Sequence, residues 1–324
     1  MISTNYGAQP ESPETARAAR SSCRSPSLRL FRAEYWFGLW IGSLAQFVLW
    51  YRPLTSSGPD IIILVLAYSG FLYACGFLAN AVGDRELDRV YPGFKREISA
   101  AVETVGVKRL VSWIVGLTIL GLSLSLWVSW RLGSVVPFAL GVVGTVAGLG
   151  YSLPPLRWKV RGFASHAISL TVSAYYVPAF LVAGTLNGAY TAEIGLLALG
   201  YSIAHYGMEI GNQLKDYAQD RVYGIHTLPF RSRGLSCLVG LVLVLVGLVI
   251  ETSMLLHLFR PVAWQAITLV IIVLAAHLEP IVFFTRGATR PAFISPGDGR
   301  LKYARWLTVG MVGRLLVALL LRLG

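Results

Sequence analysis

The feature that most constrains this chain is a series of long, uninterrupted apolar runs, among them Ile61 to Leu78, Leu110 to Trp127 and Leu235 to Ile250. Each approaches or matches the roughly 20 residues that a helix needs to cross a bilayer. A soluble core does not need such runs, and 55% hydrophobic residues with only 14% charged ones point the same way. Nine candidate spans follow, at about 35–51, 61–82, 110–129, 134–151, 164–184, 190–210, 236–257, 262–284 and 303–321. The first is short and the eighth contains Pro280, so eight spans are the alternative count.

Basic residues test this segmentation, because cytoplasmic loops carry an excess of Lys and Arg. The N-terminal segment, the loops after spans two, four, six and eight, and the first turn of the last span hold 23 of the 28 basic residues. The opposite loops hold only Arg52, Arg131 and Arg260. The expected topology therefore has the N-terminus in the cytoplasm and, after nine crossings, the C-terminus on the other side. The net charge of +12 lies in short juxtamembrane loops rather than on one basic surface, which argues against a nucleic-acid partner. Cys23, Cys75 and Cys237 lie far apart, and the five His are scattered, so neither a disulfide framework nor a zinc site is expected. Residues 1–30 are rich in Ser, Pro, Ala and Arg and lack an apolar signal core; they read as a flexible cytoplasmic tail before a membrane domain over 31–324.

The chain has only six Asp and four Asn, yet four of the Asp and two of the Asn form one pattern, N-x₃-D-x₃-D, twice. The first copy is Asn80, Asp84 and Asp88; the second is Asn212, Asp216 and Asp220. On a helix these residues stack on one face, about 6 Å apart along the axis. Carboxylates so placed near hydrocarbon repel each other unless a cation lies between them, and oxygen ligands of this kind suit Mg²⁺ shared with phosphate. Four crossings separate the copies, which places both on the cytoplasmic side. Solvated helix ends balanced by Arg85, Arg89 and Arg221 are the bland alternative, which the matched spacing and shared side disfavour. A cation pathway is a further alternative, but its acids belong near the bilayer midplane.

Three stretches carry a resemblance to the UbiA superfamily of intramembrane prenyltransferases: NAVGDRELDRVYPGFKR (Asn80 to Arg96), YSLPPLRWKVRG (Tyr151 to Gly162) and NQLKDYAQDRVYGIHTLP (Asn212 to Pro229). The resemblance implies an all-α integral membrane protein, a bundle of about nine transmembrane helices around a central cavity, with a cytoplasmic cap and a lateral opening to lipid. It implies Mg²⁺ bound by Asn80, Asp84, Asp88, Asn212, Asp216 and Asp220, and an isoprenyl diphosphate that transfers its prenyl group to a small acceptor, most often an aromatic ring. Asp84, Asp88, Asp216 and Asp220 would be catalytic, and Tyr151 would shield a carbocation. Lys95, Arg96, Arg157 and Lys159 would hold the diphosphate, although the charge asymmetry alone also explains basic residues there. Tyr175, Tyr176, Tyr201 and Tyr206 are further aromatic candidates. Glu209 is a candidate for binding the acceptor, and Glu279 is an acid in an apolar span beside His277. Ala81 stands where many members have Asp, and Glu97 where Pro is common. Cyclisation of a single isoprenyl diphosphate is the alternative reaction on the same fold.

Overall fold

A computed structural model describes residues 26, 30–32, 36–50, 71–91, 94–222, 227–229, 232–290 and 299–323. The first part of the second expected span, 61–70, most of the expected tail and the YGIH segment at 223–226 lie outside the described residues. Among the described residues every regular element is helical. In chain order they are α1 (Trp36–Trp50), α2 (Tyr73–Val90), α3 (Phe94–Val105), α4 (Val107–Leu132), α5 (Val136–Ser152), a 3₁₀ turn (Trp158–Val160), α6 (Phe163–Leu170), a π turn (Thr171–Tyr176), α7 (Val177–Asn187), α8 (Ala192–Val222), α9 (Arg233–Phe259), α10 (Ala263–Ala276), α11 (Leu278–Thr289) and α12 (Gly299–Leu323).

Helix breaks follow the residues that cannot continue a hydrogen-bond ladder. Pro178 has no N–H to give to the carbonyl four residues back, and the turn just before it widens so that Val177 N–H reaches Val172 O. Pro280 crowds the carbonyl of Ala276, and the chain bends by 53° between α10 and α11 at His277. α4 ends where Gly133 enters the left-handed region at φ 60° and returns its N–H to Ser129 O and Trp130 O.

Among the described residues four segments are long and apolar enough to cross a membrane: α4, the continuous α6 to α7 segment, α9 and Tyr303–Arg322 of α12. The bent α10–α11 pair brings the number to as many as five, against nine apolar runs in the sequence. Part of the second run, 61–70, lies outside the described residues, and the rest of the difference has a physical reason. The apolar stretches of α1 and α5 are short, while α2 and α8 continue past their apolar parts to carry the acidic motifs. α4, α9 and α10 present Val115, Ile119, Val249, Ile267 and Ile271 outward, as expected of helices that face lipid in a multi-pass membrane protein.

Close packing of α8 on α9 depends on glycine. A Cβ on Gly200 would lie 2.6 Å from Glu251 N, and one on Gly207 2.8 Å from Val244 N, so the two backbones touch where side chains are missing. α3 was not anticipated. It is a short amphipathic helix that buries Ile98, Ala101 and Val102 with Leu78 and Val82 of α2, Leu110 and Ile114 of α4, and Leu30. The expected covering loop is thus partly helical.

Gly207→Leu would force α8 and α9 apart and is expected to destabilise the fold by about 1–3 kcal/mol. Gly116→Ala, whose new Cβ meets nothing within 4 Å, should leave stability unchanged or slightly raised. Thermal unfolding of the detergent-solubilised variants checks both.

Candidate active site

α2 and α8 bring the two acidic stripes to one cavity of about 240 Å³. Asn80, Asp84 and Asp88 line it from α2, and Asn212, Asp216 and Asp220 from α8, together with Lys95, Tyr151, Lys159 and Glu209. The approach of α2 to the end of α5 requires Gly83, because a Cβ there would lie 2.5 Å from Ser152 O. Ser152 Oγ in turn donates to Asn80 Oδ1 at 3.0 Å.

Each stripe carries a lysine on its central aspartate. Lys159, on the 3₁₀ turn, pairs with Asp84 Oδ2 and donates to Asn80 Oδ1 at 3.1 Å. Lys95, on α3, pairs with Asp216 Oδ2 at 2.9 Å and lies 3.9 Å from the centre of the Tyr91 ring. Burial pulls the Lys159 ammonium down to about 7, with Asp220 opposing the fall and Arg32 adding to it. Tyr91 OH donates to Asp220 Oδ1 at 2.6 Å, and Thr227 Oγ1 donates to Asp220 Oδ2 at 3.2 Å. Burial, followed by that bond to Asp220, pushes the Tyr91 phenol far above its ordinary range, so it remains a donor.

The remaining expected residues sort by geometry. Arg157 Nη2 lies 3.9 Å from Asp84 Oδ1 and 3.4 Å from Gly83 O, beside the cavity rather than in its lining. Arg96 is exposed and lies outside the lining, because neighbouring residues on α3 point about 100° apart and Lys95 takes the inward direction. Tyr151 and Tyr175 line the cavity; Tyr175 and Tyr303 share a hydroxyl contact at 2.5 Å. Tyr206 binds His166 Nδ1 at 3.0 Å, Tyr201 lines a second, small cavity, and Tyr176 packs on Phe180. Glu209 accepts from Asn212 Nδ2 at 2.8 Å and Gln213 Nε2 at 2.6 Å, which turns the Asn212 amide.

Glu279 is not a buried acid: its side chain is 45% exposed and paired with Arg305, while His277 Nδ1 bonds Val273 O at 2.8 Å. Glu251, by contrast, is a buried acid in the apolar region, held by Arg314 through Nε and Nη2, both at 2.7 Å. Sequence reasoning missed this pair, Tyr91 and Arg32, which also lines the main cavity. Arg314 inside the last apolar span was the available signal for the first, since a cation there demands a partner. Tyr91, three residues after Asp88, carried no such signal.

The donors fit a hard divalent cation. They are oxygen atoms of Asn and Asp, and Asp84 Oδ1 is buried without a hydrogen-bond partner. Among the described residues no three Asp, Glu, His or Cys side chains converge to enclose a metal by themselves. Mg²⁺ takes one or two carboxylates and fills its remaining positions with water and substrate phosphate, so it needs no such cluster.

The family model of the UbiA prenyltransferase family matches residues 38–293. The chain belongs to the UbiA prenyltransferase family. The UbiA fold is borne out by a homologue from Archaeoglobus fulgidus solved with DMAPP and Mg²⁺, at TM-score 0.66 and 16% identity over 92% of this chain and 99% of that one. The same homologue bound to GPP and Mg²⁺ gives 0.64 and 17%, covering 91% and 99%. Curated UbiA relatives include the chloroplastic chlorophyll synthase of Arabidopsis thaliana, 32% identical over 149 residues, which are 45% of this chain and 37% of that protein. The bacteriochlorophyll synthase 34 kDa chain of Chloroflexus aurantiacus is 30% identical over 216 residues, 65% of each chain. The chain thus spans less than two thirds of the length of either relative.

Lys159→Met is expected to destabilise the protein by about 3–5 kcal/mol by leaving the buried Asp84 carboxylate without its cation. Combining it with Asp84→Asn should restore part of that loss. A double-mutant cycle of thermal unfolding reads the difference.

Proposed function

We propose that this chain transfers the isoprenyl group of an isoprenyl diphosphate to a small-molecule acceptor and releases pyrophosphate, with Mg²⁺ as cofactor. The observation that carries this reading is the meeting of both N-x₃-D-x₃-D stripes on one cavity, with a lysine at the central aspartate of each. Asn80, Asp84 and Asp88 on one side and Asn212, Asp216 and Asp220 on the other would hold the metal. A Mg²⁺ held by these residues would supply positive charge to offset the negative charge that grows on the leaving group.

The chain's own residues supply the rest. Lys95 and Lys159 sit where they can follow the diphosphate, and their attraction grows as the allylic C–O bond breaks and its electron pair moves onto pyrophosphate. Arg157 stands behind Asp84 as a further cation. The Tyr151 ring, packed on His166 at 5.4 Å and facing the cavity, keeps water from the allylic carbon and offers its π face to the developing positive charge. A nucleophilic acceptor atom then bonds to that carbon, and the proton it loses passes to the departing pyrophosphate. Glu209 orients Asn212 on the second stripe and, from its place in the cavity lining, can also meet the acceptor. The excess of basic residues in the loops at this end of the bundle supports a cytoplasmic location for it.

The chlorophyll and bacteriochlorophyll synthases among the relatives favour a tetrapyrrole-type acceptor over the small aromatic ring suggested by the motifs. Membrane fractions supplied with geranyl, farnesyl and geranylgeranyl diphosphates, crossed with tetrapyrrole and aromatic acceptors, test both. EDTA should abolish product formation. Asp84→Ala and Asp216→Ala are expected to lower kcat/KM by about a hundredfold or more. Full activity in either variant would sink the mechanism, and pyrophosphate release without any acceptor would indicate cyclisation instead.

A further inference from the structure

The apolar part of the cavity contains a feature that the chemistry above does not use. Gly76, Asn80, Asp84 and Asp88 recur at every fourth residue of α2, so Gly76 continues the acidic stripe one turn deeper, about 6 Å from Asn80 along the axis. Gly76 lines the cavity, and a Cβ built on it meets nothing within 4 Å. On α5, Gly144, Gly148 and Ser152 recur in the same way, and the hydrogen bond from Ser152 to Asn80 holds the two helices in register. Both helices end at the acidic end of the cavity. Gly148, one turn before Ser152, therefore stands level with Gly76, one turn before Asn80.

Packing does not explain glycine at either position. A Cβ on Gly148 would meet Ser173 Cβ at an ordinary 3.6 Å, in contrast to Gly83, where the crossing of α2 and α5 excludes any side chain. Glycine weakens a helix relative to alanine, so two glycines facing a cavity without steric need keep space open. Leu72, Phe77, Leu170 and Leu307 form apolar walls around that space. At its polar end the buried Asp84 Oδ1, which has no hydrogen-bond partner, belongs to the same cavity. The shape suits a ligand with an anionic head at the stripes and an apolar chain leading away from them.

We infer that the isoprenoid tail leaves the diphosphate between α2 and α5, over Gly76 and Gly148, and that Gly76 sets the chain length accepted. This assignment rests on the prenyl-transfer reading. A larger residue at Gly76 would occupy the path of the chain below its first isoprene units and leave the stripes, the lysines and Ser152 untouched.

The test compares wild type, Gly76→Ala and Gly76→Leu as full-length, detergent-solubilised protein. kcat/KM is measured with dimethylallyl, geranyl, farnesyl and geranylgeranyl diphosphates, and Mg²⁺-dependent binding of inorganic pyrophosphate by calorimetry. Gly76→Leu should keep pyrophosphate affinity and turnover of dimethylallyl diphosphate within about threefold of wild type, and lose about tenfold or more with geranylgeranyl diphosphate. Gly76→Ala should show the same trend more weakly, and it keeps the test available if the leucine variant fails to fold. Unchanged relative use of all four lengths, or an equal loss at every length with pyrophosphate binding intact, would overturn the assignment. A wild type that binds no pyrophosphate and turns over none of the four would overturn the prenyl-transfer reading itself, and this inference with it.

Discussion

Carboxylates held at one end of an apolar bundle repel one another strongly, since the energy between like charges rises as the local dielectric falls. Much of the arrangement around this cavity neutralises them. Lys159 answers Asp84, Lys95 answers Asp216, and Tyr91 with Thr227 covers Asp220 by hydrogen bonds. These partners come from the 3₁₀ turn, from α3 and from the segments after α2 and α8, so the capping elements are tied to the bundle through the acids. Breaking a buried pair is costly because a charge is left behind, which makes the cap and the stripes a single unit.

The bundle makes that unit possible by bringing backbones close. Gly83 lets α2 reach Ser152 at the end of α5, and Gly200 and Gly207 let α8 lie on α9. With little hydrophobic drive between helices in lipid, such contacts and a few buried polar pairs hold the assembly. The Glu251–Arg314 pair plays this part between α9 and α12, away from the acidic stripes. The glycines divide into two kinds: those that backbones press against, and those such as Gly76 that face open space.

Much of the site was legible in the sequence because the code there is simple. A spacing of four places residues on one helix face, and two copies separated by an even number of apolar runs must return to one side. Asn80, Asp84, Asp88, Asn212, Asp216 and Asp220 all follow from that, and family resemblance added Tyr151, Lys95 and Lys159. What was hidden depends on three-dimensional packing. Whether Lys95 or Arg96 points inward is decided by the rotation of α3, an element absent from the expected topology. Glu279 and Glu251 look alike in a hydropathy reading, yet the first reaches the surface to Arg305 and the second is enclosed with Arg314. The hydrogen bond by which Glu209, itself in the cavity lining, holds the Asn212 amide likewise depends on side-chain geometry that spacing alone does not reveal.

The central claim is that the two stripes form one metal–diphosphate site. Diffraction from the protein soaked with Mn²⁺ and pyrophosphate, with anomalous scattering used to locate the metal, tests it most directly. The account predicts manganese between the Asp84 and Asp216 carboxylates, bridged by pyrophosphate, with the Lys159 and Lys95 ammonium groups moved onto phosphate oxygens. Pyrophosphate bound at the cavity with no metal at either stripe, or metal bound away from both, would contradict it.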